Sequence, residues 1–449
     1  MSYEELAAFV LHHFLTDITL KDLSKLTHDA YTGTFDTSEI VPVKTLSESF
    51  SMAEMFHGRT CAFKDLALSL FPHLLVYAKK KLGDGKETLI LTATSGDTGK
   101  AALEGFKDVP GVHIMVFYPS HGVSPLQKDQ MQKQLGENVK VLGIEGNFDD
   151  AQSALKNIFV SDLRDEALEK GVLFSSANSI NIGRLVPQIV YYVYAYAKLV
   201  KAGEINAGEK INITVPTGNF GNILAAYYAK QMGLPIHKLI CASNENKVLY
   251  DFFRTGTYDR KREFILTASP SMDILISSNL ERLIYLSTGC DAAADAALMK
   301  DLSEKGSYTV TESMRQFMSD FRGGFATEAQ NEATISKIFE DTGYLIDTHT
   351  GVAATVYNAY KAETGDQTKT VIASTASPYK FSHSVLEAIK GKSAVEGKDE
   401  FAVVDELSEV SGTPVPKAVE ELRSAVIRHN TECDVDKMGE TVKNILGIA

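Results

Sequence analysis

From about residue 86 onward, short apolar segments alternate with stretches of helical spacing, and this rhythm restricts the fold more than any other feature of the chain. Residues 88–93 (TLILTA), 112–118 (VHIMVFY), 139–143, 171–175, 211–215 and 370–374 each carry a run of aliphatic or aromatic side chains too short for a helix. Residues 100–107 and 151–158 between them have the spacing of helices. Strands that are apolar on both faces and alternate with helices predict a parallel sheet covered on both sides. In such sheets ligands sit beyond the carboxyl ends of the strands.

The chain has 449 residues, enough for roughly two to four domains at about 100–200 residues each. Its fold class is expected to be α/β, with two parallel-sheet domains and an N-terminal helical segment. Residues 1–85 read mostly as helices, including an apolar stretch over 65–81 that bears Leu66, Leu70, Leu74 and Tyr77. Residues 86–200 form a smaller α/β domain. Residues 201–390 form a larger one, with a mostly helical insertion at about 245–345. Residues 391–449 are a C-terminal helical extension.

Charge and cysteine usage narrow the function classes. A net charge of −13, from 58 acidic and 45 basic residues, disfavours unaided binding to nucleic acid, which calls for a basic footprint. A small anion remains compatible, because a few local cations and N–H groups outweigh a distant field. Cys61, Cys241, Cys290 and Cys433 are far apart and form no C-x-x-C pair, so neither a zinc framework nor a disulfide scaffold is expected. The start, MSYEE, lacks the features of a secretory or transit segment. No apolar run approaches the roughly 18–20 residues that span a bilayer. A cytoplasmic protein without membrane or nucleic-acid partners is expected.

Several loops fall at strand ends. Ser95-Gly96-Asp97-Thr98-Gly99 lies between an apolar run and a helix, where unpaired N–H groups of a helix start can receive an anion; it reads equally as a turn with a helix cap. Residues 217–222 (TGNFGN) precede the helix ILAAYYAK. This loop lacks the G-K-[S/T] ending of a nucleotide-binding loop and is not G-x-G-x-x-G, which leaves a turn suited to one phosphate. Lys64 follows small and apolar residues, a setting that lowers an amine's pKa and makes it a nucleophile toward carbonyls, although a single lysine is more often a surface charge. Asn178, Asn181 and Arg184 in SANSINIGR could grip phosphate or form a capped helix start. Residues 374–378 (STASP) place hydroxyls at another strand end. His349 could act as a base, with a structural hydrogen bond as the simpler role.

Together these segments resemble the threonine synthase family. Its H-G-P-T-x-x-F-K-D motif is matched from His57 to Asp65, and its S-G-D-T-G from Ser95 to Gly99. Y-P-x-G-x-V-S-x-x-Q is approximated from Tyr118 to Gln127, and N-S-I-N…R is matched from Asn178 to Arg184. G-N-F-G-[D/N] is Gly218 to Asn222, and S-P-x-M-D-I…S-N-x-E-R runs from Ser269 to Arg282. D-P-H-T and T-A-H-P-x-K-F resemble 347–350 and 375–381. The likeness runs in the family's order from residue 1 to about 385, and is to its longer bacterial and fungal subgroup.

The resemblance implies a fold type II enzyme dependent on pyridoxal 5'-phosphate, acting on O-phospho-L-homoserine and water to give L-threonine and phosphate. By matching positions, Lys64 would hold the cofactor as a Schiff base and act as the catalytic residue. Gly218, Asn219, Phe220, Gly221 and Asn222 would bind the cofactor phosphate. Thr375 would face the pyridine nitrogen and Asp97 the 3'-oxygen, while Ser95, Thr98, Asn181 and Arg184 would hold the substrate phosphate. No metal is implied, and a monomer or homodimer is expected. Arg59 and Thr348 replace family prolines, and Ser377 replaces a histidine, departures that bear on loop rigidity and substrate fit. Two alternatives stay open: a lyase releasing a keto acid and ammonia through the same cofactor, or a non-catalytic binding protein on the same fold.

Overall fold

The computed structural model describes residues 1–83, 85–94, 96–121 and 123–447. In chain order the strands are β1 (Val43–Thr45), β2 (Phe50–Glu54), β3 (Glu87–Ala93), β4 (Val112–Pro119), β5 (Val139–Glu145), β6 (Val172–Ser175), β7 (Ile211–Pro216), β8 (Ile236–Ser243), β9 (Thr257–Asp259), β10 (Ser307–Thr309), β11 (Phe321–Phe325), β12 (Thr370–Ser374) and β13 (Thr431–Asp434). They fall into two compact units, each assembled from separate stretches of chain. The first comprises Met1–Ile40, His57–Pro187 and the segment from Pro416; the second comprises Val41–Phe56 and Gln188–Val415.

The first unit holds a parallel sheet in the order β13-β5-β4-β3-β6. Strand β3, between β4 and β6, is buried from Thr88 to Ala93, which explains the apolar run. Ile90 lies beside Ile114, and Val116 beside Val141. Helix Asp97–Phe106 covers the sheet through Leu103 and Phe106, and Phe106 meets Phe71 edge-on at 5.4 Å. The apolar stretch at 65–81 breaks into two helices, Asp65–Leu68 and Phe71–Leu82. The first can lie against helix Asp97–Phe106 only because residue 105 is glycine. A Cβ there would come within 2.3 Å of the Leu68 carbonyl oxygen.

The second unit holds a sheet in the order β1-β2-β12-β7-β8-β11, parallel except for the β1–β2 hairpin. Residues 43–54, expected among helices, instead form this hairpin. β2 ends in Glu54, a buried carboxylate that accepts a hydrogen bond from the Tyr344 hydroxyl at 2.7 Å. Helix Thr348–Thr364 is buried along most of its length and packs on β7, β8, β11 and β12. Its approach to β11 requires Gly324, where a Cβ would lie 2.4 Å from Val356 Cγ1. Between residues 245 and 345 the chain holds mainly helices, the sheet strand β11 and the short ribbon β9–β10, pinned by stacked Tyr258 and Tyr308 rings. Among the described residues no helix is long and apolar enough to cross a membrane.

Candidate active site

In the first unit, Lys64 stands at the start of helix Asp65–Leu68, at the end of a loop whose backbone is heavily constrained. Asp65 is buried and accepts hydrogen bonds from the Thr60 N–H at 2.8 Å and the Thr60 hydroxyl at 2.6 Å. Gly58 closes against that carboxylate, which a Cβ would meet at 2.4 Å. Cys61 adopts φ 58°, a left-handed conformation costly for a residue with a side chain. Tyr31 donates to the Leu66 carbonyl at 2.7 Å. These contacts point Lys64 Nζ to 3.4 Å from Asp97 Oδ2 and 4.8 Å from the centre of the Phe63 ring, with the side chain 12% exposed.

Asp97 opens helix Asp97–Phe106, where the helix dipole favours negative charge. Its other oxygen accepts from Gln127 Nε2 at 2.7 Å. Gln127 is itself held by a capping box with Ser124, so the run ending at Gln127 serves to set Asp97. Gly96, at φ 130°, leaves room for the Gln127 amide, which a Cβ would meet at 2.6 Å. Thr94 Oγ1 accepts from the N–H groups of Gly96 and Gly99 at 3.0 and 2.8 Å and shapes the turn. Ser95 lies outside the described residues. Thr98 is half-buried, and its hydroxyl has no hydrogen-bond partner among the described residues.

The 178–184 segment sits in the same unit. Asn178 donates to the Ala93 carbonyl at the end of β3, 2.9 Å away. Asn181 caps helix Ile182–Leu185, accepting from Gly183 N–H and donating to the Ser176 carbonyl. Arg184 is 2% exposed and donates from Nη1 to the Ala177 carbonyl at 2.5 Å. Helix Ile182–Leu185 packs on helix Asp65–Leu68, so Arg184 shares a neighbourhood with the Lys64 loop. Arg59 is exposed, with its guanidinium 3.8 Å from Glu104. Burial works against ionisation of Glu104, but Lys100, the Gln134 amide, Lys107 and Arg59 outweigh it and hold the carboxyl below its usual range.

In the second unit, residues 217–222 join β7 to helix Gly221–Gln231. Gly218 lies so close to another backbone that a Cβ would fall 2.8 Å from the Ser271 carbonyl oxygen. Phe220 takes φ 65° at the helix start, which has no side-chain cap, so the first N–H groups keep their donors for an outside acceptor. The carbonyls are held elsewhere: Ser277 Oγ donates to Gly218 O at 2.7 Å, and Asn279 donates twice to Asn219 O, at 3.0 and 3.2 Å. Asn222 Oδ1 receives the buried Tyr191 and Tyr192 hydroxyls at 2.6 and 2.5 Å. Burial holds the Tyr192 phenol well above its usual range, so it stays a donor. Asn222 Nδ2 and Asn219 Oδ1 are buried without a partner among the described residues. The turn therefore offers neutral donors to an anion.

Thr375 follows β12, is 5% exposed, and its hydroxyl has no partner among the described residues. Thr348 occupies the first turn of helix Thr348–Thr364, a position proline also favours, so the departure leaves the helix start intact. Ser377 caps the short turn Pro378–Phe381 through the Tyr379 N–H. His349 is buried, with both ring nitrogens in hydrogen bonds, to Asp347 and to the Ser271 N–H.

The structure thus gathers Lys64, Asp97 and the Arg184 helix in one unit, and the 218–222 turn and Thr375 in the other. Sequence reasoning assigned no role to Gln127, Tyr191, Tyr192, Ser277 or Asn279. Gln127 left a local trace in the S-x-x-Q capping pattern, and Asn279 lies in the S-N-x-E-R run.

Comparison with known proteins agrees in direction. Residues 38–377 match the model of a pyridoxal-phosphate dependent enzyme, and residues 350–427 match that of the threonine synthase C-terminal region. The chain is 40% identical over 402 residues to human threonine synthase-like 1, covering 87% of this chain and 53% of that protein, so it spans about half the length of that relative. It is 35% identical over 421 residues to threonine synthase of Saccharomyces cerevisiae, covering 87% and 80%. The crystal structure of PLP-bound threonine synthase from Brucella melitensis is similar with a TM-score of 0.84 at 35% identity, over 100% of this chain and 89% of that one. The yeast threonine synthase structure also reaches 0.84, at 32% identity, over 100% and 88%.

Proposed function

Since the chain belongs to the threonine synthase family of pyridoxal-phosphate-dependent enzymes, we propose that it converts O-phospho-L-homoserine and water into L-threonine and phosphate, with Lys64 as the residue that moves protons. One observation carries this reading: a nearly buried lysine amine, fixed by a constrained loop, 3.4 Å from a buried carboxylate. The donor chemistry fits the cofactor. Lys64 offers the amine for its aldehyde, the 218–222 turn offers N–H groups and the unpaired Asn222 Nδ2 for its phosphate, and Thr375 offers a hydroxyl for its ring nitrogen.

Bound pyridoxal phosphate supplies an electron sink that makes the carbon-bound hydrogens of an amino acid acidic. The overall change breaks the Cγ–O bond to phosphate and forms a Cβ–O bond from water. Cα loses and regains its hydrogen, Cβ loses one and Cγ gains one. Lys64 Nζ is the base and then the acid in these transfers, a role worth about 10²–10⁴ in rate. Asp97 holds the ammonium while Lys64 carries a proton, and Gln127 holds Asp97. Phe63 and the surrounding loop limit water at Nζ. Arg184, Thr98, Asn181 and Ser95 would hold the substrate phosphate, with Arg184 supplying the charge. The anionic chain and its small substrate suit a cytoplasmic enzyme acting as a monomer or homodimer.

A lyase that releases 2-oxobutanoate and ammonia would use the same cofactor and the same residues and would differ in its product. A single assay separates the readings: phosphate release, threonine and 2-oxobutanoate are measured together, for the wild type and Lys64→Ala. Threonine from the wild type alone is the expected result. Predominant 2-oxobutanoate would favour the lyase, and equal activity in both proteins would overturn the mechanism.

A further inference from the structure

We infer that His349, oriented by Asp347, is a positioning residue that couples the phosphate turn to the strand end bearing Thr375; this rests on pyridoxal phosphate binding at those two places. A His–Asp pair in a buried setting resembles a general-base dyad, but its bonding excludes that use. His349 is 3% exposed and Asp347 fully buried. Ring Nε2 lies 3.1 Å from the Ser271 N–H. A backbone N–H can only donate, so Nε2 is the acceptor and the proton sits on Nδ1, which donates to Asp347 Oδ2 at 2.9 Å. No lone pair remains for a substrate, and the Phe381 ring covers the imidazole at 4.7 Å.

Each end of this pair reaches a place the cofactor needs. Ser271 holds its carbonyl against Gly218, where a Cβ would be 2.8 Å away, so a shift at Ser271 moves the backbone that lines the phosphate turn. At the other end, Asp347 Oδ1 accepts from the Thr350 N–H at 3.1 Å and from the Thr350 hydroxyl. Thr350 Oγ1 in turn lies 3.2 Å from Ser374 Oγ, one residue before Thr375. From half-buried Ser271 the chain of bonds runs through buried His349, Asp347 and Thr350 to buried Ser374, and every link lies within the second unit.

The two amide substitutions split the roles of the ring nitrogens. His349→Asn places an amide near Nδ1 and keeps the bond to Asp347, but removes the Nε2 acceptor of the Ser271 N–H. His349→Gln reaches the position of Nε2 and can accept from that N–H. Each variant is stripped of pyridoxal phosphate and titrated with it, and the 31P resonance of the bound cofactor is recorded. We expect the Asn variant to bind pyridoxal phosphate about tenfold more weakly with a displaced 31P signal, as loss of one buried hydrogen bond implies, and the Gln variant to stay near wild type. Equal binding and an unchanged 31P signal in both would overturn the inference. Should the Asn variant not fold, Thr350→Val cuts the link to Ser374 while keeping both ring bonds; weaker cofactor binding supports the coupling, and unchanged binding overturns it. Absence of any binding by the wild type would instead defeat the cofactor reading itself.

Discussion

The candidate lysine of the first unit faces a carboxylate, whereas the candidate phosphate turn of the second is ringed by neutral donors. Lys64 has Asp97 at 3.4 Å, and Asp97 accepts a hydrogen bond from the Gln127 amide. The 218–222 turn is set by Ser277, Asn279, Tyr191 and Tyr192, none of them charged. The Asp347 carboxyl reaches the turn only through His349 and Ser271. A group that must gain and lose a proton benefits from a counter-charge within about 4 Å. A turn that must hold a dianion needs fixed dipoles and no competing carboxylate. Burial of charge in the one and of neutral donors in the other fits the two tasks proposed for them.

The sharpest way to break this contrast is Lys64→Ala. Threonine formation should fall by about 10²–10⁴-fold or more, while titration should still detect pyridoxal phosphate held without a covalent link. Gly218→Ala should do the reverse. Its Cβ meets the Ser271 backbone, so cofactor affinity should drop about 10–100-fold, the scale of losing hydrogen bonds to a charged group, with turnover recovering at saturating cofactor. Gln127→Leu leaves Lys64 and the turn in place but removes a donor to Asp97, and should lower kcat about three- to tenfold with cofactor affinity unchanged. A Gln127 variant that lost cofactor but not rate would erase the distinction between the units.

The smallest effect expected is on stability against pH, where the two units should respond in opposite directions. In the second unit burial pushes the Asp273 carboxyl up to about 6 from an ordinary 3.8, despite hydrogen bonds from Thr267 and Asn244. Its favourable contribution is complete below the ordinary value and is lost as pH rises through about 6. Glu104 of the first unit is held below its ordinary value of 4.5, so its contribution is present above that value and is lost on acidification. Hydrogen exchange between pH 4 and 7 should show amides near Asp273 losing protection on raising pH, while those near Glu104 do not. Parallel changes in both would contradict the assignment.

Much of the fold was legible because the strands that matter most are apolar on both faces. The runs at 88–93, 112–118, 139–143 and 211–215 became β3, β4, β5 and β7. The elements that escaped had a polar or glycine residue where tertiary packing demanded it: Glu54 in β2, Gly323 and Gly324 in β11, and the polar edge strand β13. The make-up of the units was not legible, since β2 joins β12 and β13 joins β5 across most of the chain. In the candidate site, glycine turns and a lysine flanked by apolar residues announce themselves locally. Tyr191 and Tyr192 do not, because nothing but distant pairing distinguishes a buried tyrosine that orients an amide from one that fills a core.

The central claim is tested most directly by borohydride reduction of the protein loaded with pyridoxal phosphate, followed by peptide mapping. The account predicts a single pyridoxyl group on Lys64, in the peptide that contains Ala62 and Phe63. A label on another lysine, or none at all, would contradict it.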